Sequence, residues 1–419
     1  MSLVPLEEVR ERIFDAVTRL PVATLPLGAS RGLVLAERAV CTDPVPPFAN
    51  TAMDGYAVRS TDTAGARADA PVRLRVVDEL PAGRAPTVAV GSGEAVRIMT
   101  GAPIPSGADA IVIVERTERD GADVVQVHEE VGAGAHIRPA GGDLEAGATV
   151  FEAGAVLTAA HVGVLASLGY AQVPVVRRAR VGVFSTGDEL VPPGGPPLTI
   201  GQIRDSNRPM MLGLVEEAGA EPVDLGIARD DEGVTERVLA DALERCDVVL
   251  TTGGVSMGEY DYVKLVLDRR AAAEGGEFSW WQVAIKPAKP LAFGVFGGVP
   301  VFGLPGNPVS SLVSYELFAR PTMLRMMGHE HPFRPVINAV AAEPMRRKPD
   351  GKLHLDRVRI QAGEGGYVAA RTGSQESNVL SATAAANGLA LIPDGDGVDE
   401  GDPVPVMRLD IPLDREKPA

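Results

Sequence analysis

Three segments of this sequence place glycine and small hydroxyl or amide residues directly after a short apolar run. Phe184 is followed by Ser185-Thr186-Gly187-Asp188-Glu189, and Leu250 by Thr251-Thr252-Gly253-Gly254-Val255-Ser256-Met257-Gly258. Leu304 is followed by Pro305-Gly306-Asn307-Pro308-Val309-Ser310-Ser311, which opens a helical pattern. Glycines let backbone N–H groups approach a ligand, hydroxyls add donors, and a helix start favours an anion. None is a standard nucleotide loop: there is no Gly-x4-Gly-Lys-Ser/Thr and no Gly-x-Gly-x-x-Gly after a strand. Gly254-Val255-Ser256-Met257-Gly258 does match the Gly-x-Ser-x-Gly of a hydrolase nucleophile elbow. An elbow serine starts its helix at once, however, whereas Gly258 and Glu259 intervene here. A serine hydrolase built on Ser256 stays as an alternative.

Charged residues flank these turns in two groups of opposite sign. Asp188, Glu189, Asp205, Asp230, Asp231 and Asp261 fall at or just past expected strand ends, with no histidine or cysteine among them. Oxygen-only ligands suit Mg²⁺, a hard cation that also takes substrate phosphate. Facing them in sequence is Ile285-Lys286-Pro287-Ala288-Lys289-Pro290, whose prolines stiffen the backbone and so position two ammonium groups. The chain as a whole has 40 basic and 56 acidic residues, a net charge of −16. A field of that sign argues against nucleic acid and anionic membranes as partners. An anionic small molecule must therefore be held by a few local cations, and the two lysines are the candidates.

The elements that must carry these residues follow from periodicity. Leu6, Val9, Ile13, Val17 and Leu20 share one helical face before Pro21, which predicts a helix over 5–20. From 41 to 152 short alternating runs broken by Gly and Pro predict β-rich modules, and Thr158 to Gly169 reads as a capped helix. After residue 177, apolar strands alternate with amphipathic helices: strands at 181–184, 223–227, 248–250, 280–286, 290–296 and 299–304, with helices at 209–217, 234–246, 260–270 and 308–327. That alternation predicts a largely parallel sheet covered on both faces. Ligands of such a sheet bind beyond the carboxyl ends of its strands, where all three turns fall. Five short strands over 331–412 predict a small all-β module, barrel or sandwich. The expected fold class is thus α/β and multi-domain. A linking module spans 1–44 and 136–172, a β-rich insert 45–135, the α/β domain 173–328 and a barrel-like β module 329–412.

A length of 419 residues exceeds what one core usually fills, while 45% hydrophobic and 23% charged residues are ordinary for a soluble globular protein. No stretch approaches the roughly 18 apolar residues of a membrane span. The acidic Met1–Leu20 segment lacks a signal layout, so a cytoplasmic protein is expected. Cys41 and Cys246 are too few for a disulfide framework or a thiolate metal site, which agrees with a reducing compartment.

Five longer motifs then stand out in order. They are Pro47-Phe48-Ala49-Asn50-Thr51-Ala52-Met53-Asp54-Gly55-Tyr56-Ala57, Arg97-Ile98-Met99-Thr100-Gly101-Ala102-Pro103, and the three turn segments above. Together they resemble the MoeA/gephyrin family of molybdopterin molybdotransferases over about residues 5–405. The resemblance implies insertion of molybdate into adenylylated molybdopterin, with Mg²⁺-dependent release of AMP; a non-catalytic, gephyrin-like scaffold is the alternative within the family. It implies that Lys286, Lys289, Ser310, Arg357 and Ser377 contact molybdate. It also implies that Asp188, Glu189, Asp230 and Asp261 form a metal-facing side, with Glu189, Asp230 and Asp261 as the metal ligands. Ser185, Thr186, Gly253, Gly254, Ser256, Pro305 and Asn307 would line the substrate cleft. Asp54 and Thr100 would reach it from a partner subunit of a homodimer. Arg138 and Asp143 match a further family stretch, as a salt bridge or as catalytic groups. Ala288 departs from the family, many members of which carry glycine there. The expected partners are adenylylated molybdopterin, molybdate and the molybdopterin-adenylylating protein.

Overall fold

The computed structural model describes residues 3–254, 262–274, 278–363 and 365–409. The chain divides into two compact units: Leu25–Arg31 with Glu37–Val173, and Met1–Thr24 with Gly32–Ala36 and Pro174–Ala419.

The first unit is built on a six-stranded sheet in the order Ala110–Ile113, Gly55–Val58, Glu94–Ile98, Val72–Leu80, Val124–Val127, Thr117–Arg119. All neighbours are antiparallel except Glu94–Ile98 and Val72–Leu80. Side chains alternate across it, as a period of two requires. Val58, Leu74, Val112 and Val125 enter one core, while Ala57, Leu80, Val96 and Ile111 enter another. The Ala159–Ser167 helix is closed at its start by a Thr158/His161 capping box, and Gly169 follows it at φ +82°.

The second unit holds the expected α/β sheet, in the order Glu221–Ala228, Arg180–Thr186, Val248–Thr252, Val299–Leu304, Pro290–Phe296, Phe278–Gln282. The first four strands are parallel. Pro290–Phe296 alone runs against the rest, antiparallel to both its neighbours, because a tight Gly297-Gly298 turn rather than a helix joins it to 299–304. Successive residues bury on opposite faces: Val248 and Leu250 with Met211 and Val215 on one side, Val249 with Leu239 and Val266 on the other.

Three element boundaries differ from expectation. The first helix is Leu6–Asp15 and not 5–20. Pro21 holds the residue before it in extended backbone, and Leu20 instead donates its N–H to Met326 O at 2.7 Å. The 280–286 run splits in two: Phe278–Gln282 stays in the α/β sheet, whereas Ile285–Lys286 leaves to pair in parallel with Leu353–His354. The 308–327 helix is continuous but passes through a π-helical turn at Tyr315–Ala319.

The C-terminal strands close on themselves. Leu353–Gly363 pairs with Gly366–Arg371, then Val336–Ala341, Pro403–Arg408 and Gly388–Ile392, which returns to Leu353–Gly363. This is a closed five-stranded barrel around Val358, Ile360, Ala390 and Val404, and a closed sheet has no bare edge except where Ile285–Lys286 is added.

Candidate active site

The 180–186, 248–252 and 299–304 strands are parallel neighbours, so the three motif turns meet at one sheet edge. Several of the small residues are engaged in joining those turns. Ser185 Oγ is buried, donates to Asp205 Oδ1 at 3.0 Å and lies 2.9 Å from Thr252 Oγ1. Gly253 donates its N–H to Leu304 O at 3.1 Å. Its φ is +91°, and a Cβ there would stand 2.8 Å from Thr186 Oγ1, so the crossing of these turns requires glycine. Gly254 follows with φ +67°. Asn207 Nδ2 donates to Gly306 O at 2.7 Å, and Ser311 Oγ to Pro305 O.

At the other end of this edge are the acids. Asp188 and Asp230 cross-link their loops: the Asp188 N–H donates to Asp230 Oδ2 at 3.2 Å and the Asp230 N–H to Asp188 Oδ1 at 3.3 Å. Both are exposed, as is Glu189. Asp205 is 1% exposed and is bound by Arg208 Nε at 2.9 Å, which removes it from the accessible acids. Asp261 and Ser256 lie outside the described residues, which therefore hold only Glu189 and Asp230 of the expected Glu189, Asp230 and Asp261 ligand set. Among the described residues no three His, Cys, Asp or Glu side chains form a metal cluster. Mg²⁺ commonly keeps several waters and takes one or two carboxylates beside substrate phosphate. Asp188 and Asp230, each with carboxylate lone pairs to spare, fit that more modest demand.

Three strand spacings of about 4.8 Å, roughly 14 Å in all, separate the Ala228 end from the Leu304 end. Beyond Leu304 opens a cavity of about 1000 Å³ whose lining includes Lys286, Ala288, Lys289, Ser310 and Ser377. Ser310 sits in the first turn of the Pro308–Ser314 helix. Ser377 is fixed to that turn twice, by Asn307 Nδ2 at 3.0 Å to its hydroxyl and by Val309 N–H at 3.2 Å to its carbonyl. Both lysines are exposed into this space and form no ion pair among the described residues. Ala288 between them is buried at φ +74°, the left-handed backbone that glycine would adopt without cost.

Arg357 lies outside the cavity lining. It is fully buried behind the 374–377 wall, where Nη2 donates to Ser374 O at 2.6 Å and Glu376 O at 3.2 Å. Its Nε and Nη1 have no partner among the described residues, and burial lowers its pKa. In this geometry it supports the loop that carries Ser377. Further lining residues were missed from sequence: Arg346, Arg347, Lys348, Lys352 and His354, the last paired in strand register with Lys286. Three consecutive basic residues in a chain of net charge −16 were the available signal. His354 is held below the usual imidazole range, mainly by burial, with Arg347 and Lys286 adding to it and Asp350 opposing.

In the other unit, Asp54 Oδ1 accepts the Thr100 N–H and hydroxyl, each at 2.7 Å. The Thr100 hydroxyl, then its N–H, hold that carboxyl below its usual range. Arg138 and Asp143 are both exposed, and among the described residues no ion pair joins them.

Three family models cover this chain: MoeA N-terminal region (domain I and II) over residues 4–169, "Probable molybdopterin binding domain" over 182–325, and MoeA C-terminal region (domain IV) over 338–409. A Mycobacterium tuberculosis protein named molybdopterin molybdenumtransferase 2 is 42% identical over 88% of this chain and 91% of its own length. A Haemophilus influenzae molybdopterin molybdenumtransferase is 36% identical over 92% and 93%. The crystal structure of a molybdopterin biosynthesis MoeA protein from Pyrococcus horikoshii superposes with TM-score 0.80 at 32% identity, covering 97% of this chain and 99% of that one. With matches of this length across all its modules, the chain belongs to the MoeA family.

Proposed function

We propose that this chain is a molybdopterin molybdenumtransferase, inserting molybdate into adenylylated molybdopterin with release of AMP. The observation that carries the reading is the cavity beside the α/β sheet. Molybdate is a tetrahedral dianion. Lys286 and Lys289 supply two matching charges, and Ser310 and Ser377 add hydroxyl donors from a second direction. Arg357 acts from behind, holding the 374–377 wall in place. Farther along the same edge, Asp188 and Asp230, with Glu189 beside them, offer the carboxylates that would hold Mg²⁺. When bound, that ion would neutralise charge on the phosphoanhydride. The separation suits one extended substrate with its phosphates at the acidic end and its dithiolene at the basic end. In the same reading Asp54 and Thr100 serve the cleft from a partner subunit. The protein would act as a cytoplasmic homodimer that receives its substrate from the adenylylating enzyme.

Purified protein given adenylylated molybdopterin, molybdate and Mg²⁺ is expected to release AMP, and no release would refute the proposal. Lys286→Ala should weaken molybdate binding at least tenfold while changing pterin binding less than twofold; equal loss of both contradicts its assignment. Asp188→Asn should slow AMP release with molybdate affinity unchanged.

A further inference from the structure

His354 and Lys286 are strand neighbours. Ile285–Lys286 pairs in parallel with Leu353–His354, Lys286 in register with His354, so the two side chains leave the same face of strands about 4.8 Å apart. Both line the cavity, and His354 is the only histidine among the described residues that does. Its ring is held at one nitrogen: Nε2 lies 3.3 Å from Asp350 Oδ2, while Nδ1 has no partner among the described residues. Asp350 also takes Arg347 at 2.6 Å and Lys352 at 2.8 Å, and Arg347 is shared with Asp394. The other lining carboxylates are Asp356, which is bound by Arg371, and Glu376, which forms no ion pair among the described residues.

The Asp350 contact fixes the chemistry of the ring. A carboxylate only accepts, so the neutral imidazole keeps its proton on Nε2 and leaves Nδ1 a lone pair. A lone pair repels an oxyanion, whereas protonation makes Nδ1 a second donor. Without a ligand that proton is disfavoured: burial above all, with Arg347 and Lys286 adding to it, holds His354 below the usual imidazole range against the pull of Asp350. A dianion at Lys286 would offset the lysine's charge, and an opposite charge nearby favours the charged ring. We propose that His354 is a further binding residue of the oxyanion site: as the anion binds beside Lys286, the ring takes a proton from solvent and then donates through Nε2 to Asp350 and through Nδ1 to the anion. The assignment rests on the reading that this cavity takes an oxyanion. Affinity then rises as pH falls, because the bound form holds a proton that the free form lacks between their two midpoints.

The test titrates inorganic molybdate into the full-length protein by calorimetry, in two buffers of different ionisation heat, from about pH 6 to about pH 8, where molybdate stays a dianion. Binding about threefold tighter at the acid end is expected, with uptake of about half a proton per anion there. His354→Gln keeps a donor for Asp350 but cannot become charged, so the acid gain and the buffer dependence should both vanish. An NMR titration of the His354 ring in the unaltered protein checks the same point without a variant: its midpoint should rise by about one unit when molybdate is added. Molybdate bound with no proton uptake, uptake that survives in His354→Gln, or an unmoved ring midpoint overturns this inference alone. No molybdate binding at either pH overturns the functional reading and this inference with it.

Discussion

Asp205→Ala should loosen the strand ends that position the site, and the structure sets the size of the effect. Asp205 is 1% exposed and collects three donors: Ser185 Oγ at 3.0 Å, Arg208 N–H at 3.2 Å and Arg208 Nε at 2.9 Å. Removing one partner of a buried ion pair costs about 3–5 kcal/mol, because the other charge is left without compensation. Arg208 keeps a second carboxylate, Asp224, which brings the expectation to the low end, about 3 kcal/mol. Both tryptophans, Trp280 and Trp281, lie in the unit that holds Asp205, so indole fluorescence in urea follows that unit alone. With a slope of about 3 kcal/mol per molar, the midpoint should fall by about 1 M. Ser185→Ala alone should cost about 1 kcal/mol, and less in the Asp205→Ala background, since its hydrogen bond is already gone. A loss below about 1 kcal/mol for Asp205→Ala, or strict additivity in the double variant, would refute the claim that this carboxylate ties the strand ends together.

The loop between the lysines offers a second test. Ala288→Val puts a β-branched residue at a buried position with φ +74°, so stability should fall by about 2–3 kcal/mol and molybdate affinity with it; unchanged calorimetric melting would refute the geometry. Ala288→Gly removes left-handed strain of about 1–2 kcal/mol but gives up a buried methyl and adds unfolded-state freedom, so its melting point should move little. In the other unit, Thr100→Ala removes the largest influence that depresses the Asp54 carboxyl, so its midpoint in a carbon-detected NMR titration should rise toward the ordinary aspartate value. The sign follows from linkage: a depressed carboxyl stabilises the fold above its unfolded pKa, and that contribution is lost as pH falls through the folded value. The variant should therefore show a weaker acid dependence of stability, and an unmoved midpoint would sink the assignment.

Sequence patterning located the α/β sheet because continuous apolar strands such as Val248-Val249-Leu250 alternate with amphipathic helices, and that pattern has few other solutions. It located the three turns because glycine is needed where backbones cross, as at Gly253. It failed where a residue's fate depends on what packs behind it. Asp205 is charged and near the right turns, yet it is buried and committed to Ser185 and Arg208 of the protein itself. Local periodicity has no term for that. The departure of Ile285–Lys286 to the barrel was equally hidden, since its partner, Leu353–His354, lies 68 residues away along the chain.

That departure is what makes the site. Lys286 leaves the α/β sheet in strand geometry paired with His354, while the Pro290–Phe296 strand re-enters the sheet directly after Lys289. The two lysines therefore sit on a short bridge between two bodies of β-structure within one unit, fixed at both ends. Ser310 comes from the helix that follows the sheet, and Ser377 from a barrel loop pinned to that same helix by Asn307 and Val309. A loop anchored only to itself would lose its lysine geometry to side-chain and backbone entropy. Here each donor is held by an element whose stability comes from its own core, so an oxyanion bound as proposed would meet donors already in place, and little binding energy would go into ordering them. The acidic remainder of the chain fits the same logic: large polyanions are repelled at a distance, while a small dianion would be screened from most of that field until it reached the two lysines, which form no ion pair among the described residues.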